Sequence, residues 1–302
     1  MRALIAVDWG TSSLRGARLD ARGDVLEERS FERGILTVPS GGFPAVFEQS
    51  FGDWMREPGA VCLISGMAGS QQGWVQAPYC ACPAGLDDVA AQLQWVVPQR
   101  IAIVPGLQCE HDGVPDVMRG EETQVFGALG VLGLSDALVV LPGTHSKWVS
   151  VRGGRIHAFT TTMTGEVYGL LRRHSILARS MPADDKDDSD GWHADAFDAG
   201  VAHALRSPGL LQAAFSVRTL ALFERLAAEH RGSYLSGVVI GEELRSQSRS
   251  HALGGASEVV LVGADALLLR YGRAFEQFGC TVRTVGARAA WQGLFEIAGR
   301  TA

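Results

Sequence analysis

One local pattern occurs twice in this chain of 302 residues, and it limits the folds that the sequence can adopt. In each copy an apolar strand runs into a loop with the letters Gly-Thr-x-Ser, and a second strand and a tight turn follow. The first copy has its strand at residues 3–7 and its loop at 10–13, and the second has them at 137–141 and 143–146. Small residues in such loops let backbone N–H groups approach phosphate oxygens closely. The repeat therefore predicts two hairpins that face each other across a cleft and grip a phosphate chain.

Strands and helices alternate after each copy of the pattern, which is the plan of a mixed α/β protein. Strands are predicted at residues 3–7, 14–19, 25–30, 60–64, 100–104, 137–141, 147–152, 155–162, 258–262 and 280–285. Helices are predicted at residues 43–55, 84–94, 120–132, 166–177, 194–205, 208–214, 220–228, 233–249, 264–278 and 287–298. Ligands of such folds bind at the carboxyl ends of the strands, where both glycine loops lie. We expect one domain at residues 1–134, a second at 135–302, and a solvated acidic loop at 184–190.

The charge and the cysteines exclude several classes of function. A formal net charge of -6 argues against a general nucleic-acid-binding or membrane-binding surface, so any anion site must be local. Five cysteines, an odd number, with no signal peptide before the first strand favour a reduced, cytoplasmic protein. Cys80 and Cys82 have no second pair at zinc-site spacing, so we expect buried or incidental thiols. No apolar run approaches the roughly 20 residues of a membrane-spanning helix.

Asp8 directly precedes the first glycine loop, at the carboxyl end of the first strand. A carboxylate in that place can hold Mg²⁺, usually through water, opposite bound phosphates. The alternative is an aspartate that only caps the turn. Gly10, Thr11, Ser12 and Ser13 follow, and they would present amides and hydroxyls to the terminal phosphate.

The second loop offers a different set of groups. Gly143 and Thr144 match the first loop, and Lys147 lies where a cation can meet a phosphate, unless it is only an exposed strand lysine. His145 either contacts the substrate or forms hydrogen bonds within the turn. Further along, Gly263–Ala264 follows an apolar strand and precedes a helix, which suits a shelf for an adenine ring because a larger side chain would collide with it.

Two adjacent carboxylates, Glu121 and Glu122, follow Arg119 and a glycine shortly before the second copy of the pattern. Phosphoryl transfer to a hydroxyl needs one positioned base, and the rest of the catalysis is electrostatic stabilisation. Because adjacent helical residues point about 100° apart, we expect only one of the two to face the cleft. The planar guanidinium of Arg119 could pair with a substrate carboxylate. The alternative is a plain acidic first turn of a helix.

Two further segments are candidates for substrate contacts. Residues 65–74 contain three glycines after a strand, and Gly66, Met67 and Trp74 would pack against a sugar-like ligand, unless the segment is a generic loop. Thr162 and Thr164 belong to a hydroxyl-rich strand end that runs into a helix, where amides can hold an anion or substrate hydroxyls. The alternative for this second segment is a β-rich strand followed by a helix cap.

Taken together, five of these segments resemble one family. They are residues 8–12, 66–74, 118–124, 142–148 and 163–166. In this order, and along essentially the whole chain, they are similar to 2-dehydro-3-deoxygalactonokinase. The resemblance implies the actin/hexokinase/Hsp70-type ATPase superfamily, with two ribonuclease-H-like domains around a nucleotide cleft. It also implies ATP-dependent phosphorylation of 2-dehydro-3-deoxy-D-galactonate at the 6-hydroxyl in galactonate breakdown, with Mg²⁺ beside the phosphates.

By this resemblance, the loops after Asp8 and at Gly143 are the two phosphate motifs, and Gly263–Ala264 is the adenosine motif. Where the superfamily often has a second glycine, this sequence has Ala264. The second hairpin also lacks the acidic residue of actin-like members, so metal ligation rests mainly on Asp8. A Gly-Glu-Glu segment is also found in the exopolyphosphatase branch, which supports Glu121 or Glu122 as the base.

That similarity supplies the main alternative, a phosphohydrolase of the exopolyphosphatase type in which water attacks. Such an enzyme should have a strongly basic cleft, and Lys and Arg are sparse near the loops. A second alternative is a non-enzymatic sugar-binding regulator. It needs a helix-turn-helix segment, for which we expect no room before a first strand that starts at residue 3. The sequence leaves open which epimer of the sugar acid is preferred and whether the chain forms a homodimer.

Overall fold

The computed structural model describes residues 4–182, 192–249 and 258–301. The acidic segment predicted at 184–190 lies outside the described residues. The strands are β1 (Leu4–Trp9), β2 (Leu14–Leu19), β3 (Val25–Phe31), β4 (Val61–Gly66), β5 (Tyr79–Ala81), β6 (Gln94–Val97), β7 (Ile101–Ile103), β8 (Gly106–His111), β9 (Val114–Met118), β10 (Ala137–Leu141), β11 (Ser146–Arg152), β12 (Arg155–Thr162), β13 (Glu258–Gly263) and β14 (Thr281–Gly286). The helices are α1 (Phe43–Phe51), α2 (Leu86–Ala91), α3 (Glu121–Leu132), α4 (Thr164–His174), α5 (Ala194–Arg206), α6 (Leu210–Leu222), α7 (Arg231–Arg249), α8 (Asp265–Glu276) and α9 (Ala289–Ala298).

Two mixed sheets repeat the same strand order. The first sheet has the order β3-β2-β1-β4-β7-β6, and the second has the order β12-β11-β10-β13-β14. In each sheet the three strands of the repeated pattern lie side by side, with its first strand in the middle of the sheet. Two later strands continue the sheet in parallel from that first strand, β4 and β7 in one sheet and β13 and β14 in the other. The apolar sequence of β1 and β4 is buried on both faces, as expected for parallel central strands. The predicted duplication of a mixed α/β plan is therefore seen in the sheet topology.

Two compact units divide the chain. The first unit consists of Met1–Ala137, Val149–Phe159 and Ala287–Ala302, and the second unit consists of Leu138–Trp148 and Thr160–Gly286. These units follow from contacts, whereas the limits 1–134 and 135–302 were drawn from the repeat and stay a prediction. Within the described residues, no helix is both long enough and apolar enough to cross a membrane.

Helix α3 is held in the first unit by close contact with α9. A Cβ added to Gly127 would overlap the carbonyl oxygen of Ala289, and one added to Gly293 would overlap that of Thr123. The two backbones therefore approach as closely as glycine allows, which fixes where α3 begins. An aromatic cluster fills the other side of the sheet, where the ring centroids of Trp9 and Phe43 lie 5.2 Å apart.

A small sheet with the order β5-β8-β9 was absent from the sequence prediction. Strands β8 and β9 pair antiparallel through a turn at Asp112–Gly113, where both residues have positive φ of 52° and 80°. The dipeptide Asp-Gly commonly forms a hairpin turn with positive φ at both positions, so this hairpin could have been predicted from the sequence.

Three predicted helices were wrong in their extent. The helix expected at 84–94 ends at Ala91, and Gln94 already belongs to β6. The helices expected at 208–214 and 220–228 are replaced by one helix, α6. Val217 and Thr219 are weak helix formers that suggested a break, but Ala213, Ala214 and Val217 are buried in the core beside α7. Tertiary packing therefore carries the helix through the weak segment.

Candidate active site

Asp8 and the first glycine loop stand at the carboxyl end of β1 in the first unit. Asp8 lies opposite Arg15 in the β1–β2 ladder, and the two side chains form an ion pair with 16% and 36% exposure. The loop closes by a hydrogen bond from the Gly10 N–H to the Ser13 carbonyl (2.9 Å), and residues 11–13 are exposed. A Cβ on Gly34 would overlap the backbone of the loop at residues 11–12. The loop thus rests on a glycine and presents its hydroxyls outward.

Glycine backbone lies beside one oxygen of the Asp8 carboxylate. Gly66 ends β4 beside Trp9 in the parallel ladder, has a φ of +93°, and would place an added Cβ 3.2 Å from Asp8 Oδ1. Gly120 precedes α3 with a φ of +109°, and its added Cβ would lie 3.1 Å from the Gly66 Cα. Both backbone conformations favour glycine, and both close approaches require it. Asp8, Gly66 and the start of α3 therefore meet at one edge of the first sheet.

Glu121 and Glu122 occupy very different surroundings in the first turn of α3. Glu122 is fully buried, and both of its carboxylate oxygens accept the Gly120 N–H, at 2.9 and 2.7 Å. Burial, with a smaller contribution from the charge of Glu121, raises the pKa of Glu122 to about 8. Glu121 is partly exposed, and its Oε2 accepts the Arg119 N–H at 2.9 Å. Only Glu121 has surface that a substrate can touch, as the spacing around the helix led us to expect for one of the two.

The Arg119 side chain runs into the first unit. Its guanidinium lies 4.3 Å from the Tyr79 ring centroid, and its Nη2 donates to the Ala77 carbonyl at 2.9 Å. Nε and Nη1 are buried and find no hydrogen-bond partner among the residues that the structure describes. An added Cβ on Gly69 would lie 2.8 Å from Nη1, so the loop after β4 packs directly on the guanidinium. Buried N–H groups without acceptors are costly, so the packing around this guanidinium is kept at the expense of two hydrogen bonds.

Met67 and Trp74 flank that loop. Met67 begins a short 3-10 turn that ends at Gly69, and Trp74 lies 5.4 Å from Phe47 and 6.2 Å from Trp9 between ring centroids. Both side chains pack on the aromatic cluster and keep partial exposure. Their packing is therefore established here, and their contact with a substrate stays a prediction.

The second glycine loop lies at the carboxyl end of β10 in the second unit. Helix α4 begins directly on it, since a Cβ on Gly165 would lie 2.5 Å from the Gly143 carbonyl oxygen, and the Glu166 N–H donates to the Thr144 carbonyl at 3.0 Å. His145 Nε2 is 2.5 Å from Glu166 Oε2, and both side chains are exposed. His145 thus has a partner within the turn, which was one of its two predicted roles.

Lys147 is buried rather than exposed. Only 5% of it is accessible, and its Nζ donates to Thr161 Oγ1 at 2.7 Å across the β11–β12 hairpin. This excludes the alternative of an exposed strand lysine. A buried ammonium group attracts an anion strongly, because little solvent screens its charge.

A buried carboxylate, Glu243 on α7, lies behind the second loop. It accepts the Trp148 Nε1–H at 2.6 Å and the Tyr271 hydroxyl at 2.5 Å, and the hydroxyls of Thr162 and Thr164 also bond to it. Burial raises the pKa of Glu243. The two threonines predicted to contact substrate therefore direct their hydroxyls to a carboxylate of the protein. Their backbone amides are what remains for a ligand.

Gly263–Ala264 joins the same edge of the second sheet. Strands β10 and β13 run parallel, and the Pro142 carbonyl oxygen lies 3.7 Å from an added Cβ on Gly263. Ala264 is exposed and precedes α8. The proposed adenosine motif and the second glycine loop are thus neighbours in one unit.

Several residues that position these groups were missed in the sequence. Arg15 could have been found, because a four-residue loop in a hairpin places it opposite Asp8. Gly34 and Glu243 carry no local signal, since each is brought to the loops by long-range packing. Thr161 lies in the hydroxyl-rich strand end noted in the sequence, but its bond to Lys147 was not predicted. Within the described residues, no cluster of three His, Cys, Asp or Glu side chains can hold a metal ion. Asp8 fits Mg²⁺ in another way, since Mg²⁺ is commonly bound by one or two carboxylates together with phosphate oxygens and water.

Known proteins are similar to this chain over nearly its whole length. The family model for 2-keto-3-deoxy-galactonokinase matches residues 8–297. The 2-dehydro-3-deoxygalactonokinase of Escherichia coli K12 is 37% identical over 299 residues, which are 97% of this chain and 97% of that protein. A crystal structure of a Sinorhizobium meliloti protein, assigned as the same kinase, superposes with a TM-score of 0.85 at 36% identity, over 99% of this chain and 96% of that one.

A more distant structure bears on the fold alone. A Porphyromonas gingivalis protein assigned as an N-acetylglucosamine kinase matches with a TM-score of 0.51 at 14% identity, over 98% of each chain. The predicted fold class, a duplicated α/β fold of the sugar-kinase ATPase type, is confirmed. The family prediction is confirmed as well: this chain belongs to the 2-keto-3-deoxy-galactonokinase family.

Proposed function

We propose that this chain transfers the γ-phosphoryl group of ATP to the 6-hydroxyl of 2-dehydro-3-deoxy-D-galactonate. The hydroxyl oxygen attacks the γ-phosphorus, the bond to the β–γ bridging oxygen breaks, and ADP leaves. The observation that carries the proposal is the edge of the first unit, where Asp8 Oδ1 lies beside Gly66, Gly66 packs against Gly120, and the partly exposed Glu121 follows Gly120 at the start of α3. The whole-chain family match supplies the substrate class.

In the first unit we assign Asp8 to the metal and residues 10–13 to the terminal phosphate. Arg15 holds the Asp8 carboxylate through Oδ2, while Oδ1 lies beside Gly66. When bound there, Mg²⁺ supplies charge neutralisation for the β- and γ-phosphate oxygens. The exposed hydroxyls and amides of the loop orient the γ-phosphate.

In the second unit, Lys147 supplies a positive charge and Gly143–Thr144 supply backbone amides for phosphate. Glu243 fixes Thr162 and Thr164 through their hydroxyls, so that the start of α4 keeps its place on the Gly143 loop. Gly263–Ala264 gives a side-chain-free shelf for adenosine. The sugar acid is assigned to the first unit, with its carboxylate at Arg119, whose Nε and Nη1 lack acceptors among the described residues.

Glu121 is the group that takes the proton of the 6-hydroxyl. A general base must come within hydrogen-bonding distance of the hydroxyl, and Glu121 has accessible surface whereas Glu122 has none. The raised pKa of Glu122, about 8, also leaves that carboxyl largely protonated at neutral pH. Glu122 instead caps the start of α3 and so positions its neighbour.

The proposal is tested by measuring ADP production with Mg-ATP and a panel of keto-deoxy sugar acids. ADP should form only when the sugar acid is present, in a one-to-one ratio with the 6-phosphate. The gluconate-derived epimer in the same panel tests the preference at one hydroxyl. Steady phosphate release without any sugar, or cleavage of inorganic polyphosphate, would instead favour the phosphohydrolase. Binding of sugar acids without any turnover would favour the regulator.

A further inference from the structure

Helix α6 presents large apolar side chains to solvent. Leu211, Phe215 and Leu222 are 94%, 54% and 59% exposed, and Phe223, which follows the helix, is 75% exposed. The opposite face of the helix is buried through smaller residues, Ala213, Ala214 and Val217. A helix of a monomer usually turns its large apolar residues inward. In α6 the apolar stripe that faces the core is matched by a second stripe that faces away from it.

The outward stripe has the spacing of a helix-pairing seam. Leu211, Phe215, Arg218 and Leu222 follow each other at intervals of four, three and four residues, so they lie along one line of the helix surface. The stripe is also self-complementary. If a second copy of α6 lies antiparallel across a two-fold axis, Leu211 of one copy meets Leu222 of the other, and Phe215 meets Arg218. The pair of Leu211 and Leu222 is apolar. The pair of Phe215 and Arg218 occurs twice across the two-fold axis, and each time it allows a cation–π contact.

The ends of the helix fit the same pairing. Among the described residues no side chain caps the first turn of α6, which begins after Gly209 and contains no acidic residue. Glu224 is exposed just beyond the other end. The antiparallel register that pairs Leu211 with Leu222 places Glu224 of one copy next to Gly209 of the other. A carboxylate there accepts the free N–H groups of the helix start and opposes the positive end of the helix dipole.

The exposed area is sufficient for a specific interface. Large apolar side chains carry on the order of 150–200 Å² each, so four of them exposed by half or more give about 1,000 Å² in two copies. That total is the lower limit for a specific protein interface. Half of it, about 500 Å², lies on each copy, which is the size of the largest apolar patches of monomers, and these are often functional. We propose that two copies of this chain form a symmetric dimer by antiparallel pairing of α6. This inference does not depend on the proposed catalytic activity.

The dimer is tested by light scattering after size-exclusion chromatography, and by sedimentation, between about 1 μM and about 100 μM protein. The wild-type chain should show twice its monomer mass at the upper end. Phe215→Lys places an ammonium group opposite Arg218 of the other copy and should weaken association at least about tenfold. Leu269→Lys is the matched control, since Leu269 is 57% exposed on α8 in the same unit, and it should leave the mass unchanged.

Cysteine pairs test the register. Leu211 and Leu222 lie about 16 Å apart along one helix, too far to form a disulfide within a chain. Oxidation by molecular oxygen with a copper catalyst should therefore link the two chains of a Leu211→Cys, Leu222→Cys double variant. Neither single variant should form more linked dimer than the wild type. The wild-type chain has cysteines of its own, so it gives the background level of cross-linking.

Three results would overturn the proposal. They are a monomer at every concentration, a dimer that Phe215→Lys leaves intact, and a double-cysteine variant that links no better than the single ones. Circular dichroism of each variant separates loss of pairing from loss of folding. Leu222→Glu, a separate variant, places a charge at another position of the seam, and it should also weaken the dimer.

Discussion

The two glycine loops share a sequence pattern and a strand order, but they present opposite charges. In the first unit the loop stands over a carboxylate, Asp8, held by Arg15 and partly open to solvent. In the second unit the loop leads into a buried ammonium, Lys147, held by Thr161. The duplicated backbone therefore carries side chains of opposite charge in its two copies. In the function that we propose, the carboxylate of the first loop holds the metal cation, and the ammonium group of the second unit meets phosphate oxygens.

Removal of the Asp8 charge should have the largest effect. Asp8→Asn keeps the shape of the side chain but removes the charge that we assign to Mg²⁺, and it leaves the Arg15 guanidinium without its counter-ion. We expect kcat to fall by at least about 10³-fold, as for other electrostatic catalytic groups. Steady-state kinetics with Mg-ATP and the sugar acid measure it. Asp24→Asn, on an exposed turn of the same three-strand segment, is the control and should change kcat less than twofold, or about 0.4 kcal/mol. Wild-type turnover in Asp8→Asn would contradict the assignment.

The next largest effect should come from the carboxylates of α3, whose replacement should lower kcat to different extents. Glu121→Gln removes the proton acceptor, so kcat should fall by about 10²- to 10⁴-fold with little change in the KM for ATP. Glu122→Gln keeps an acceptor for the Gly120 N–H and has no accessible surface, so its kcat should fall much less. The comparison of the two variants is the measurement. If both retain near-normal rates, neither carboxylate is the base.

In the second unit, Lys147→Met tests the cation. Methionine fills the same buried space without charge, so the fold should persist while phosphate loses a charge-assisted hydrogen bond. Such bonds are worth about 1.5–3 kcal/mol, so kcat/KM for ATP should fall by about 10- to 100-fold. Thr161→Val leaves the cation and removes its hydroxyl partner, and it should cost less. An equal loss in both variants would mean that Lys147 serves the hairpin and not the nucleotide.

Much of the fold around the two glycine loops could be predicted from the sequence. The apolar run before each loop and the tight turn after it predicted six strands, β1–β3 and β10–β12, and they placed Asp8 at the carboxyl end of the first strand. The buried state of Lys147 was not accessible, because nothing near residue 147 tells which neighbour covers it. Glu243 was missed for the same reason, since it reaches the second loop from a helix about 100 residues later along the chain.

The contrast between Glu121 and Glu122 shows a second limit of the sequence. Two identical side chains in consecutive positions differ in burial because they point in different directions around α3, and α3 is held against α9 by the close contact at Gly127 and Gly293. The spacing around a helix predicts that one of them faces the protein, but the direction of α3 depends on a contact from the far end of the chain.

Glu122 also predicts a dependence of stability on pH. Its pKa in the folded protein is about 8 against an ordinary 4.5, so between these values the folded state holds one proton more than the unfolded state. The free energy of unfolding should therefore fall as pH rises from about 4.5 to about 8, by up to about 1.4 kcal/mol per unit. Glu122→Gln should lose this slope and melt higher than wild type at pH 8, with a smaller difference near pH 5. Melting curves across this range measure it, and Glu121→Gln, which keeps Glu122, should retain the slope.

The smallest effect should come from the rim of the second loop. His145 and Glu166 form a pair with 49% and 38% side-chain exposure, in contrast to the more enclosed pair at Asp8. Exposed pairs contribute about 0–1 kcal/mol, so a double-mutant cycle with His145→Ala and Glu166→Ala should give a small coupling energy in stability. If His145 only closes the turn, its replacement should change KM for ATP less than threefold, or about 0.7 kcal/mol. A larger rise in KM that Glu166→Ala does not reproduce would show that the imidazole contacts the substrate itself, which is the other role that the sequence allowed.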